Sequence, residues 1–258
     1  MIRKTLISCV ALSVFIPLLL VGADTPTASG TLTVAQIVEK NVSAKGGLQA
    51  WRTVQALSFS GKLDAGGTEN VQLPFVLEMK RPRKSRIEIK FAGKTAVQVY
   101  DGVNGWKVRP FLGHSDAEPF TAQEMKKASQ EQDLDGPLVD YAAKGTKVEL
   151  EGIEQVEGRD AYQLKLTLKG YQVRRVWIDA QTFLEIKIEG APRRLDGKLH
   201  PVAIYLRDYK SLQGLMIPYL LETTVESVKV PEKMAIESVV VNPKLEDSLF
   251  AKPAPAGK

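Results

Sequence analysis

Apolar residues recur at every second position in run after run from Leu57 to Val241, and this period restricts the chain to half-buried antiparallel strands. Leu57, Phe59 and Leu63 alternate with Ser58, Ser60, Lys62 and Asp64. Leu73, Phe75, Leu77 and Met79 occupy one side of the next run, with Glu78 and Lys80 on the other. Ile87, Ile89 and Phe91 alternate with Arg86, Glu88 and Lys90. Val97 and Val99 follow, then a turn at 101–105, then Trp106 and Val108. These ten apolar residues, Leu73 to Met79, Ile87 to Phe91, Val97, Val99 and Trp106, are expected to share the concave face of one sheet, with the charges opposite.

The pattern returns over 147–156. Tyr162, Leu164, Leu166 and Leu168 then alternate with polar residues, and further runs cover 174–178, 184–189, 202–208, 215–228 and 234–241. The total is ten to twelve strands. No long helix separates them, which excludes βαβ units and a parallel sheet.

Two stretches break the two-residue period. Val34, Ile37, Val38 and Val42 fall on one helical face, with Thr33 as N-cap and Gly46-Gly47 as the stop. Leu48 to Trp51 adds a further turn. Thr121-Ala122-Gln123-Glu124 is a capping box, and Gly136-Pro137 divides 121–143 into two expected short helices. The first has only Met125 and Ala128 to bury; Leu138, Val139 and Tyr141 or Ala142 give the second a better apolar face. Helical stability comes mostly from such a face, so this segment is expected to be a lid, with Met125, Ala128, Leu134 and Leu138 as its apolar contacts.

Met1 to Lys4 is a short basic region, Thr5 to Leu20 is largely apolar, and Val21-Gly22-Ala23 has small residues where signal peptidase needs them. Residues 1–23 read as a cleaved export signal. Residues 24–30 read as a flexible segment, 31–252 as one domain and 253–258 as a loose tail. Cys9, the only cysteine among 258 residues, leaves with the signal. The mature chain then has no disulfide or thiol chemistry. Loss of Arg3 and Lys4 leaves 33 basic residues against 30 acidic, too small an excess to indicate nucleic acid. The cluster Lys80-Arg81-Pro82-Arg83-Lys84 has no interleaved aromatics and reads as a solvated turn.

Catalytic and metal-binding patterns are weak. His114, Ser115 and Asp116 are immediate neighbours and cannot relay a proton along one line. His114, Asp116 and Glu118 could share one side of an extended segment as metal ligands, but read more simply as a polar loop. Glu131, Asp133 and Asp135 resemble half a calcium loop, and Ala142 stands where the bidentate carboxylate is needed. Glu149/Glu151 and Glu185/Glu189 read as solvated strand faces. No phosphate loop occurs. No catalytic residue, metal or cofactor is expected; an unrecognised hydrolase would rest on His114 or His200. Periodicity leaves open whether the sheet curls over a packed core or around an apolar cavity.

Four stretches resemble the LolA/LolB-like superfamily of periplasmic lipoprotein carriers. Arg81 to Glu88 resembles its K/R-P-x-(x)-x-R-x-E hairpin, and Val99 to Trp106 its D-G-x-x-x-W turn. Arg175 to Ala180 with Leu184 to Lys187 resembles a W-I/V-D-x-x-T-x-L-P-x-K strand pair, with Glu185 where the family often has Pro. Tyr209 to Pro218, Val239 to Asn242 and Leu249-Phe250 resemble its C-terminal strands. The resemblance implies a mainly β fold: a single unclosed antiparallel β-barrel, with an N-terminal helix and short lid helices covering an apolar cavity for acyl chains. It implies a non-enzymatic monomer in the periplasm whose cargo is lipid or lipoprotein. Donor and acceptor proteins of the envelope would be its partners. A structural or sensory module making protein contacts is the alternative on the same fold.

Overall fold

The computed structural model describes residues 32–64, 71–130, 134–170 and 172–254. The expected export signal, the segment 24–30 and the last four residues of the tail lie outside them. The folded unit begins at Thr33.

Thr33 caps helix α1 (Val34–Ala44): its hydroxyl accepts from the Gln36 amide, and the Gln36 side chain accepts from the Thr33 amide. Gly46 and Gly47, both at positive φ, turn the chain into α2 (Leu48–Thr53). A side chain at Gly46 would lie 2.3 Å from the Gly214 carbonyl oxygen, so only glycine lets this corner sit on the sheet. The Met216 amide donates to the Lys45 carbonyl there, at 3.0 Å.

Thirteen strands follow. The first six are β1 (Ala56–Asp64), β2 (Gln72–Lys80), β3 (Lys84–Phe91), β4 (Lys94–Tyr100), β5 (Gly105–Arg109) and β6 (His114–Pro119). Helix α3 (Ala122–Gln130) and a run of turns over 134–145 lead to β7 (Lys147–Val156) and β8 (Arg159–Thr167). The rest are β9 (Val173–Asp179), β10 (Glu185–Leu195), β11 (Lys198–Leu212), β12 (Leu215–Val225) and β13 (Glu232–Val241). They form one sheet in the order β6-β5-β4-β3-β2-β1-β13-β12-β11-β10-β9-β8-β7. Two antiparallel meanders are thus joined where β1 pairs with β13. β6 and β7 are the free edges, so the barrel is unclosed, and the chain from β6 to β7 must cross the opening between them.

The sheet departs from the sequence expectation in two elements. β6 is the thirteenth strand: His114 to Glu118, read as a polar loop, pair with β5 as an edge strand. The expected second short helix is absent among the described residues. Gly136, Asp140 and Gly145 all take positive φ within 134–145, which breaks any helical run.

Register divides the ten residues expected on the concave face. Phe75 faces Ile89 and Leu77 faces Ile87, so β2 and β3 present their apolar side chains together. In the next pair, however, Val99 lies opposite Arg86 and Val97 opposite Glu88. Trp106 and Val108 pair with Val99 and Val97 in turn. Val97, Val99 and Trp106 therefore stand on the opposite, outer face. The tight β3–β4 hairpin at Ala92-Gly93 shifts the register by one residue, and a one-residue shift exchanges the faces of a strand.

The outer face at this corner has its own core. Lys80 and Lys84 hold Asp247 at 2.7 and 2.9 Å, and Arg86 donates to the Leu249 carbonyl. These contacts lay the 3-10 turn Asp247–Phe250 on the outside of β3, where Phe250 is fully buried beside the strand that carries buried Val97 and Val99. The main core lies on the inner face at the end where β1 begins. Trp51, Val54, Leu57, Val139, Leu215 and Ile217 pack together there, flanked by Val42, Leu48, Phe59, Leu134, Tyr219, Val239 and Val241.

Candidate functional site: the concave face

Leu57 to Leu63 pair with Met79 to Leu73 across β1–β2, which puts Leu73, Phe75, Leu77 and Met79 on the same face as the main core. Ile87 and Ile89 extend this face to β3, and Phe91 ends it. On the other side of β1, Leu63 pairs with Met234, Met234 with Leu221, and Leu221 with Leu206. Ile188 opposite Ile204 carries it on to Val176 and Leu164. The inner face is one apolar surface running across both meanders.

Its two ends differ. Where β1 begins, helices and turns cover it. α2 and Val139 pack on β1 and β12. α1 touches β7, and its buried Asn41 donates to the Phe183 carbonyl at 2.8 Å. α3 lies against β5. Further down the strands, Leu73, Leu77, Ile87, Ile89, Leu206, Leu221 and Met234 are only half-buried. Phe75 is an exception at 2% exposure, and on β8 and β9 Leu164, Leu166 and Val176 are fully buried. A closed core would exclude solvent from the half-buried side chains too. Here a strip of inner-face leucine, isoleucine and methionine remains within reach of water.

The cover is fastened by charge as much as by apolar contact. Lys45, in the α1–α2 corner, meets Glu185 of β10 at 3.0 Å, with both side chains under a tenth exposed. Asp135, in the crossing segment, accepts from Arg81 at 2.7 Å and Lys144 at 2.5 Å. Arg81 also donates to the Val54 carbonyl at 2.8 Å, tying this crossing to the α2–β1 turn. The Tyr209 hydroxyl donates to the Glu185 carbonyl at 2.9 Å. Burial, and then the nearby Glu185 charge, push the Tyr209 phenol well above its ordinary value, so it stays a neutral donor. Glu185 is thus a buried anchor, not the solvated strand residue that alternation suggested.

Ala128 of α3 is buried and Met125 half-buried, while Leu138 is fully buried and Leu134 packs against the main core. Lys107 of β5, itself buried, holds Glu124 through both carboxylate oxygens. Burial alone would raise the Glu124 pKa; the Lys107 ammonium and the Thr121 backbone and hydroxyl donors more than offset it. Sequence reasoning missed Lys107, Lys45 and Asp135. Each sits where a solvated charge is ordinary, and only the partner across the fold distinguishes it.

The histidines serve surface contacts. His114 lies 2.6 Å from Glu118, which Arg109 also holds at 2.8 Å. His200 meets the Ser227 hydroxyl at 3.1 Å. Among the described residues no group of three His, Cys, Asp or Glu side chains could hold a metal ion. Glu131 and Asp133 lie outside the described residues.

No family model matches the sequence, and no curated protein matches it. Solved structures do match. A domain assigned to outer membrane lipoprotein sorting, from Vibrio parahaemolyticus, aligns over 83% of this chain and 94% of its own, with TM-score 0.57 and 12% identity. A LolA superfamily protein from Nitrosomonas europaea covers 86% of this chain and 99% of its own, with TM-score 0.55 and 17% identity. The chain has a LolA-like fold. A DUF1329 family protein from Desulfovibrio piger shares the fold at TM-score 0.57 and 15% identity, covering 86% of this chain and 98% of its own.

The stretches that resemble LolA-like proteins occupy the corners of this fold. Arg81 fastens the β2–β3 turn. Asp101 accepts the Val103 and Asn104 amides to close the β4–β5 turn. Asp179 accepts those of Gln181 and Thr182 after β9. Asn242 accepts the Gln55 amide at 2.6 Å and ends β13 against β1. These contacts lie at turns and strand ends, while the concave surface is built from apolar side chains. Among the described residues no helix is long and apolar enough to cross a membrane.

Proposed function

We propose that this chain is a non-enzymatic carrier that holds lipid acyl chains against its concave face. The observation that carries the reading is the strip of half-buried inner-face side chains, Leu73, Leu77, Ile87 and Ile89 with Leu206, Leu221 and Met234, below the helical cover. Such a strip is apolar, one-sided and reachable, which is what an acyl chain requires and a packed core does not provide. Each buried methylene contributes ~0.8 kcal/mol, so one chain of ordinary length brings on the order of 10 kcal/mol of transfer free energy. Release then requires the surface to open or deform, and α3 with the crossing 134–145 is the proposed lid. The solved LolA superfamily protein and lipoprotein-sorting domain support this reading through shared fold.

The proposal includes export, with cleavage after Ala23 and a monomer working in the periplasm between donor and acceptor partners. The experiment is mass spectrometry of organic extracts from protein exported and purified without detergent. Acyl lipid recovered in stoichiometric amount supports the carrier. Extracts without lipid, from protein that also takes up none when it is supplied, favour the protein-contact module instead.

A further inference from the structure

The end of the sheet away from the helical cover carries an unusual surface. Eight of the eleven large apolar side chains exposed among the described residues lie at or between the strand ends there. Phe91 and Phe111 meet edge to face at 5.6 Å, with Leu112 beside them 66% exposed and Val71 at the start of β2. A second group comes from the β10–β11 and β12–β13 turns, where Leu199 is 62% exposed and Val228 and Val230 are 45% exposed. The Glu226 amide donates to the Pro201 carbonyl, so these two turns touch. Val173, at the start of β9, is the eighth. Among the described residues the opposite end exposes Val103 and Val240, and Ile153 is exposed within β7.

Charge follows the same division. Within two residues of the lower strand ends and in their turns, nine basic side chains are exposed among the described residues, Lys90, Lys94, Lys198 and Lys229 among them. Four carboxylates, Asp116, Glu149, Asp196 and Glu226, are exposed there. Apolar side chains that protrude among lysines match one partner chemistry closely. Rings and branched chains enter the boundary between headgroups and acyl chains, and ammonium groups meet lipid phosphates.

We propose that this rim docks the protein onto an anionic phospholipid surface. The aromatic pair Phe91–Phe111 and Leu112 insert, and Lys90 and Lys94 bind the phosphates around them. Phe91 also ends the inner-face stripe of β3, so the docked rim sets the bilayer against the open end of the concave face. The inference does not rest on the carrier reading, because docking requires no cargo.

The test is co-sedimentation with vesicles, using exported protein and variants that share one N-terminus. Vesicles of phosphatidylcholine alone are compared with vesicles containing phosphatidylglycerol. Wild type should sediment with the anionic vesicles and be released by salt. Phe91→Ser with Phe111→Ser should weaken binding tenfold or more. Lys90→Ala with Lys94→Ala should weaken it about fivefold per lysine. Leu199→Ser with Val228→Ser, a second pair on exposed turns, should weaken it independently. Val103→Ser with Ile153→Ser, away from the rim, should bind as wild type. Circular dichroism and melting confirm that each variant is folded. Equal binding by rim and control variants, equal binding to neutral and anionic vesicles, or no sedimentation would each overturn the proposal.

Discussion

Lys107 on β5 holds both carboxylate oxygens of Glu124 on α3, at 2.6 and 2.5 Å. Lys107 is 5% exposed, so removing its partner leaves a buried charge unpaired. Glu124→Ala should loosen α3 by about 1–2 kcal/mol, which speeds amide exchange in 122–130 roughly tenfold. The sheet should exchange as before. Uniform acceleration through β1–β5 would show that the pair supports the whole fold instead of α3 alone.

Asp135 carries a larger share of stability. It neutralises Arg81 and Lys144 while itself 3% exposed. Asp135→Ala should cost about 3–5 kcal/mol, because two cations lose one buried partner. For a domain of this size that lowers the melting temperature by roughly 6–20 °C. Arg52→Ala, whose ion pair with Asp140 is largely exposed, should shift it by little.

The two faces of the β3–β4 hairpin should respond differently to one substitution. Val99, 1% exposed, packs on the outer face beside the strand that carries the C-terminal turn. Ile89, half-buried on the inner face, reaches solvent. Val99→Asp should leave little folded protein, since an unpaired charge there has no route to water. Ile89→Asp should fold with a modest loss of melting temperature. Phe250→Ala should cost about 3–5 kcal/mol, marking the outer core as a separate contribution.

Much of the fold was legible because alternation, caps and turn residues are local. Thr33, Gly46, Asp101 and Asp179 do in the structure what their types suggest at those positions. The face of β4 was not legible. Val97 and Val99 alternate as cleanly as Ile87 and Ile89, and period alone does not say which side of the sheet a strand's apolar set faces. That depends on hairpin register, which Ala92-Gly93 shifts by one residue, and on Phe250, distant in sequence, covering the outer side. The buried pair Lys45–Glu185 was hidden for a related reason: a charge is assigned to solvent until its partner is seen.

Acid should release the C-terminal turn late. Lys80 and Lys84 hold Asp247 at about 2, against an ordinary value of 3.8. The folded pKa is depressed, so the contribution is fully present above about pH 4 and is lost as pH falls through about 2. Acid titrations of wild type and Asp247→Asn should differ above pH 4 and converge below about 2. A difference that vanishes near neutrality would place the controlling group elsewhere.

The concave face is proposed to take an acyl chain. Native mass spectrometry of the protein titrated with a single-chain lysophospholipid tests it most directly. Wild type should show one saturable lipid adduct, strongly weakened by Ile89→Asp and unchanged by Val103→Ser, with both variants folded. No adduct on wild type, or an adduct that Ile89→Asp leaves intact, would contradict it.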